Sequence, residues 1–217
     1  MTPLPERDLL AGGARELGID LSKENIDALI RVIDELEIAN AQFNLTAIRD
    51  RPGMLRKHVL DSLSLQPYLR GTRIADVGTG AGFPGLPLAI ANPERRFALI
   101  EATGKKARFV AQVAQKIPIA NVEVVNQRAE HYRPDELFDT VVARALSSLS
   151  DFVAYAGHLC ARDGRLLAMK GKRPDDEISG LPKTFRVLAV HHLRVPGLDA
   201  ERHLVELSRV GPKSSKS

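Results

Sequence analysis

The stretch from Ile74 to Ile90, I-A-D-V-G-T-G-A-G-F-P-G-L-P-L-A-I, has the spacing most suited to chemistry in this chain. An apolar run carries Asp76 and then meets glycines at 78, 80 and 82. Glycines so placed leave backbone N–H groups bare, so the turn suits a ligand that must lie against main chain. A dinucleotide turn would need glycine at the sixth position of G-x-G-x-x-G, and counting from Gly78 that position is Phe83. The pattern present, D-x-G-x-G-x-G, favours S-adenosyl-L-methionine, which has no pyrophosphate for a helix N-terminus to hold. Gly78 and Gly80 would let the backbone close over the amino-acid moiety of this sulfonium ligand, and Asp76 would place negative charge nearby.

Two further positions fit that ligand. Glu101 ends the run R-F-A-L-I-E 23 positions after Gly78, close to the roughly 20 at which a carboxylate accepts the ribose hydroxyls. Its bland alternative is an exposed carboxylate at a helix start. Ala129 and Glu130, in N-Q-R-A-E-H-Y, fall where such folds hold the adenine ring, a placement made by fold analogy.

Arg144, in V-V-A-R-A-L, stands beside the expected transfer site. Enzymes that methylate exocyclic amines carry an Asn/Asp-Pro-Pro-aromatic loop there, and those that bond covalently to a pyrimidine carry a cysteine. This chain has neither, and its single Cys160 is expected well along the next helix. The acceptor atom must therefore already be nucleophilic. Guanine N7 qualifies, because its ring lone pair needs positioning and no general base. Arg144 could face guanine O6, a phosphate, the cofactor carboxylate or a structural carboxylate.

These residues need a parallel sheet to bring them to one edge. From Thr72 onward the apolar runs R-I-A-D-V-G, R-F-A-L-I-E, N-V-E-V-V-N, F-D-T-V-V-A-R and G-R-L-L-A-M-K-G alternate with helical stretches, the pattern of a doubly wound α/β fold. T-F-R-V-L-A-V-H-H-L-R-V and R-H-L-V-E-L-S-R-V then follow with only a loop between them, which predicts a closing antiparallel pair. Before the sheet, Ile26, Leu29, Ile30, Ile33, Leu36 and Ile38 share the spacing of one helical face behind Ser22 as N-cap. A second helix is expected after Pro52, through G-M-L-R-K-H-V-L-D-S-L-S-L-Q-P-Y-L. The predicted organisation is a helical extension over 1–71, a catalytic domain over 72–211 and a disordered tail over 212–217.

Charge follows that division. Of 31 Lys/Arg and 27 Asp/Glu, residues 1–71 hold 9 and 11, which leaves 22 and 16 for the remainder. The glycine-rich part is thus the basic part, which permits an anionic partner such as RNA without requiring one. One cysteine excludes an internal disulfide, and the six histidines show no ligand-like spacing, so no metal is expected. No run approaches a membrane span, and a cytoplasmic, monomeric protein is expected.

Taken in order, N-L-T-A-I, H-V-L-D-S, D-V-G-T-G-A-G-F-P-G-L-P-L-A-I, G-K-K-A-R-F, Q-R-A-E-H-Y, V-V-A-R-A, M-K-G and E-R-H-L-V-E-L resemble the bacterial 16S ribosomal RNA guanine-N7 methyltransferases, the glucose-inhibited division protein B family. The resemblance runs through nearly the whole chain. It implies a class I, Rossmann-like methyltransferase fold with an N-terminal helical extension, S-adenosyl-L-methionine as donor, and N7 methylation of one guanine in 16S rRNA or the small ribosomal subunit. Gly78, Phe83, Ala129, Glu130 and Arg144 would line the cofactor site, and Lys105, Lys106, Arg128 and Lys170 would be RNA contacts, with solvated surface charge as their alternative. His58 and Asp61 share a helix face, where they would either shape the pocket or form a packing pair. A small-molecule methyltransferase of the same fold and a catalytically silent RNA-binding module are the competing readings.

Overall fold

The computed structural model describes residues 6–145 and 147–210. The tail expected to be disordered lies outside them. α1 (Glu6–Glu16) and α2 (Lys23–Phe43) open the chain. Ser22 caps α2 with its hydroxyl on the Asn25 N–H at 3.2 Å, and the Asn25 side chain returns the bond to the Ser22 N–H at 3.2 Å. This reciprocal pair satisfies two donors that a bare helix start leaves open. Along α2 the buried face runs through Leu29, Ile33, Leu36 and then Asn40, whereas Ile38 stands 64% exposed. Two residues beyond Leu36 turn the helix to its opposite side, which is why Ile38 leaves the expected stripe.

The helix expected after Pro52 is not a uniform one. Asp50 caps α3 (Arg51–Met54), the segment Leu55–Leu60 is π-helical, and α4 (Asp61–Leu63) follows. Arg51 ties this segment to the first two helices, donating to Glu6 at 2.8 Å, Asp34 at 2.8 Å and Glu37 at 2.7 Å. The extension shares one continuous core with the sheet: Leu10, Leu29, Leu36 and Leu60 belong to the same buried cluster as Phe83, Phe97 and Val110.

Seven strands make a single sheet in the order β3-β2-β1-β4-β5-β7-β6. The strands β1 (Arg73–Val77), β2 (Arg96–Ile100), β3 (Val122–Val125), β4 (Phe138–Ala143) and β5 (Cys160–Lys170) pair in parallel. Between them lie α5 (Gly85–Ala91), α6 (Gly104–Lys116) and α7 (Leu149–Ala156). After α8 (Asp175–Ser179), β6 (Phe185–His192) and β7 (His203–Arg209) pair antiparallel as expected, with β7 inserted between β5 and β6. Cys160 does not lie on a helix. α7 ends at Ala156, a single 3-10 turn covers Gly157–Leu159, and Cys160 begins β5, 1% exposed. Its thiol pKa is pushed up to about 12 by burial, which keeps it protonated and inert.

Candidate functional site

β1, β2 and β4 end at one edge of the sheet, and the glycine turn, Glu101 and Arg144 meet there. Gly78, Gly80 and Gly82 all have positive φ, at 69°, 62° and 92°. That conformation costs a side-chain-bearing residue strain and glycine none. At Gly78 no atom beyond its two chain neighbours lies within 4 Å of where a Cβ would stand, so the missing side chain leaves open space there. The turn is held from beneath. Asp76 is fully buried, and its Oδ2 accepts from the Thr79 hydroxyl at 2.6 Å and the Gly85 N–H at 2.8 Å. Burial raises its pKa to about 6 against the opposing pull of those two bonds. Asp76 thus acts as a staple inside the fold, and does not display charge to a ligand as its position suggested.

Glu101 joins the two turns of the site. One carboxylate oxygen accepts from the Gly80 N–H at 3.0 Å and the other from the Thr103 N–H at 2.7 Å, and the residue is 7% exposed. Each oxygen keeps a lone pair for a further donor. The carboxylate is buried where the helix-start alternative had it exposed, and it spans from the Gly80 turn to the Thr103 N–H at the start of α6.

A cavity of about 610 Å³ opens above these strand ends. Gly78, Gly80, Phe83, Glu101, Ala129, Glu130 and Arg144 all border it, as do Lys106 and Arg128. Ala129 begins a single 3-10 turn and is buried, while Glu130 is exposed. Lys105 is exposed outside the cavity with its ammonium 4.0 Å from the Phe43 ring centre, a cation–π contact. Lys170 lies apart from these cations at the end of β5, its ammonium 2.8 Å from Glu177 and its side chain only 10% exposed. A cation so paired and buried is not a surface phosphate contact.

Arg144 leaves β4 just before Ala145, which has φ of 54°, a strained setting for alanine. Its guanidinium donates to the Lys57 carbonyl at 3.2 Å, stands 3.5 Å from the Asp61 carboxylate and lies 5.7 Å from the Phe83 ring centre. His58 stacks on the same Phe83 ring, with centroids 4.7 Å apart and 21° between planes. Its Nε2 is 2.9 Å from the Thr46 hydroxyl, and its Nδ1 is buried without a hydrogen-bond partner among the described residues. Burial, aided by Arg144 and Lys57, lowers its pKa to about 4, so the imidazole is neutral at pH 7. Asp61 pairs with Arg202 at 2.9 Å and with Arg144. Of the two residues expected on one helix face, His58 borders this cavity, whereas Asp61 does not and is engaged by the two guanidinium groups.

A larger cavity, about 1030 Å³, lies at the opposite end of the sheet among the strand starts Arg73, Arg96, Val122 and Phe138. It has no glycine turn, and ligands of open α/β sheets bind at the carboxyl ends of the strands. No group of three or more His, Cys, Asp or Glu among the described residues is placed to hold a metal.

A mostly parallel sheet in this order, with a glycine turn after β1 and a carboxylate after β2, defines a class I S-adenosylmethionine-dependent methyltransferase. The glycopeptide N-methyltransferase MtfA, solved with S-adenosyl-L-methionine, shares this fold with a TM-score of 0.61 at 12% identity, over 71% of this chain and 88% of that one. The residues fit the cofactor: open space at Gly78, a buried carboxylate with spare lone pairs, and the Ala129 turn beside them. More narrowly, the chain belongs to the GidB family, rRNA small subunit methyltransferase G, whose model matches residues 25–205. It is 48% identical over 200 residues to the Ribosomal RNA small subunit methyltransferase G of Nitrosococcus oceani, covering 92% of this chain and 94% of the relative. It is 49% identical over 202 residues to the protein of the same name from Ectopseudomonas mendocina, with the same coverage of 92% and 94%.

Proposed function

We propose that this protein methylates N7 of a guanine in 16S rRNA of the small ribosomal subunit. The observation that carries the reading is the composition of the Arg144 wall. It presents a guanidinium and a neutral imidazole, Cys160 is sealed in β5, and no Asn/Asp-Pro-Pro-aromatic loop follows β4. Such a wall can orient an acceptor but does not activate one, which matches an acceptor nitrogen that carries a lone pair and no proton.

When bound, S-adenosyl-L-methionine supplies a methyl group on a sulfonium sulfur, which an in-line ring nitrogen takes without loss of a proton. Gly78 and Gly80 give backbone access to the cofactor, Glu101 receives its ribose, and Ala129 and Glu130 flank its adenine. Arg144 orients the acceptor and is held for that purpose by Lys57 and Asp61. Lys106 and Arg128 at the cavity rim, with Lys105 beyond it, meet the RNA backbone. Lys170 belongs to the acceptor side of Arg144. We assign the protein to the cytoplasm as a monomer without metal; no helix among the described residues is long and apolar enough to cross a membrane.

The test is product analysis. Labelled S-adenosyl-L-methionine is incubated with naked 16S rRNA, small subunits and free nucleotides, and the labelled nucleoside is identified. Label in 7-methylguanosine of rRNA is expected; label on an exocyclic amine, or on free nucleotides alone, overturns the reading.

A further inference from the structure

A smaller cavity, about 400 Å³, lies on the far side of Arg144 from the glycine turn. Its walls include His58, Asp61, Arg144, Met169, Lys170 and Arg202. It shares His58, Arg144 and Ala145 with the cofactor cavity, so those residues are the boundary across which two bound molecules would meet. The volume lies within the range of small-molecule sites, roughly 300–1,000 Å³.

The order of polar groups along this wall is informative. Starting from the cofactor cavity, the guanidinium of Arg144 comes first and the carboxylate of Asp61 second, 3.5 Å away. Asp61 is 2% exposed, and its Oδ1 accepts from Arg202 Nε at 2.9 Å. Its Oδ2 faces Arg144 at a distance too long for a tight hydrogen bond, so this oxygen retains acceptor capacity. The sequence across the wall is therefore donor, then acceptor.

Guanine presents the complementary sequence. Reading along its edge from N7 come the O6 acceptor, then the N1–H donor, then the N2 amine donor. With O6 on Arg144 and the two donors on Asp61, N7 falls on the cofactor side of Arg144. Adenine opposes this wall twice, placing an amine against the guanidinium and a lone pair at N1 against the carboxylate. We infer that this cavity is the acceptor-base subsite and that Asp61 is its specificity-determining residue, accepting from guanine N1–H and N2–H while Arg144 donates to O6. Arg202 is a positioning residue that holds the carboxylate. His58 also borders both cavities.

This inference rests on the reading as a guanine-N7 methyltransferase. The experiment uses small subunits reconstituted with 16S rRNA that carries, at the position the wild type methylates, either guanosine or inosine. Inosine keeps N7, O6 and N1–H and lacks only the N2 amine. The wild type is expected to lose about ten- to a hundredfold in kcat/KM on inosine, the worth of a hydrogen bond to a charged group. Asp61→Asn is expected to lose a similar factor on guanosine and to turn over the two substrates equally. A purely structural role for Asp61 would slow both substrates and leave the guanosine preference intact, which overturns the inference. Equal turnover of both by the wild type also overturns it, and that comparison needs no variant. If Asp61→Asn does not fold, the wild-type comparison of guanosine with inosine decides alone. Failure of the wild type to methylate any rRNA guanine would overturn the functional reading itself, an outcome separable from the inosine result.

Discussion

On the glycine side of the cleft, a ligand meets backbone atoms from one short turn, braced by Asp76 below and by Glu101 from the next strand. On the Arg144 side the walls are side chains: His58 and Asp61 from the helices before the sheet, Arg144 after β4 and Arg202 before β7. The first wall gains its precision from two carboxylates, Asp76 and Glu101, that accept from N–H and hydroxyl groups of the turn within about two dozen residues. The second gains it from ion pairs between segments that meet only through packing. The difference suits the division of labour, because a cofactor of fixed shape needs bare backbone, whereas discrimination among bases needs directional side-chain donors and acceptors.

The comparison breaks most sharply at Gly78. Gly78→Val would force a β-branched residue into positive φ and project it into the cavity, so S-adenosyl-L-methionine binding should be lost in calorimetry. A folded variant that binds as the wild type does would remove the turn from the site.

On the opposite wall, Arg144→Ala should leave cofactor binding measurable and reduce kcat by about 10²–10³, the cost of one preorganised donor. Arg144→Lys should rescue poorly, because an ammonium cannot present the planar pair of donors. Residual activity of the alanine variant should vary little between about pH 7 and 9, since no group titrating there takes a proton. Turnover near that of the wild type in Arg144→Ala would show that this wall does not orient the acceptor.

Salt should separate the walls more gently. RNA affinity should fall with a log–log slope of roughly −0.7 to −0.9 per phosphate contact while cofactor affinity stays nearly constant. Lys106→Gln and Arg128→Gln should each make the slope shallower by about one. A flat response in the wild type would detach the basic rim from RNA.

The smallest expected effect is on stability, where the walls carry opposite signs. Asp76 has a folded pKa raised from 3.8 to about 6, so the fold binds the proton more tightly than the unfolded chain and gains stability as pH falls through that window. His58 has a pKa lowered from 6.5 to about 4, so its contribution is present above 6.5 and lost as pH falls toward 4. Thermal melts between pH 4 and 7 should therefore show Asp76→Asn more acid-sensitive than the wild type, and His58→Gln less so. The shift in Tm should be about 2–4 °C per kcal/mol for a chain of this size. A shift of the same sign in both variants would refute the assignment of these two groups.

By itself, the sequence determined the order of strands and helices, the glycine turn, Ser22 as a cap, and Glu101 and Arg144 at the strand ends. These are legible because each depends on neighbours in the chain: a period of two or 3.6 residues, a cap three residues from its partner, a glycine where φ turns positive. Only the tertiary structure decided that Leu55–Leu60 winds as a π-helix, that Cys160 begins a strand, that Asp76 is buried beneath the turn, and that Lys170 is committed to Glu177. It alone paired Asp61 with Arg202, 141 positions away, and brought Arg144 to the Lys57 carbonyl, 87 positions away. Periodicity says which face of a segment is buried but not which other face it will meet. The wall around Arg144 exists only where the helices before β1 pack against the sheet.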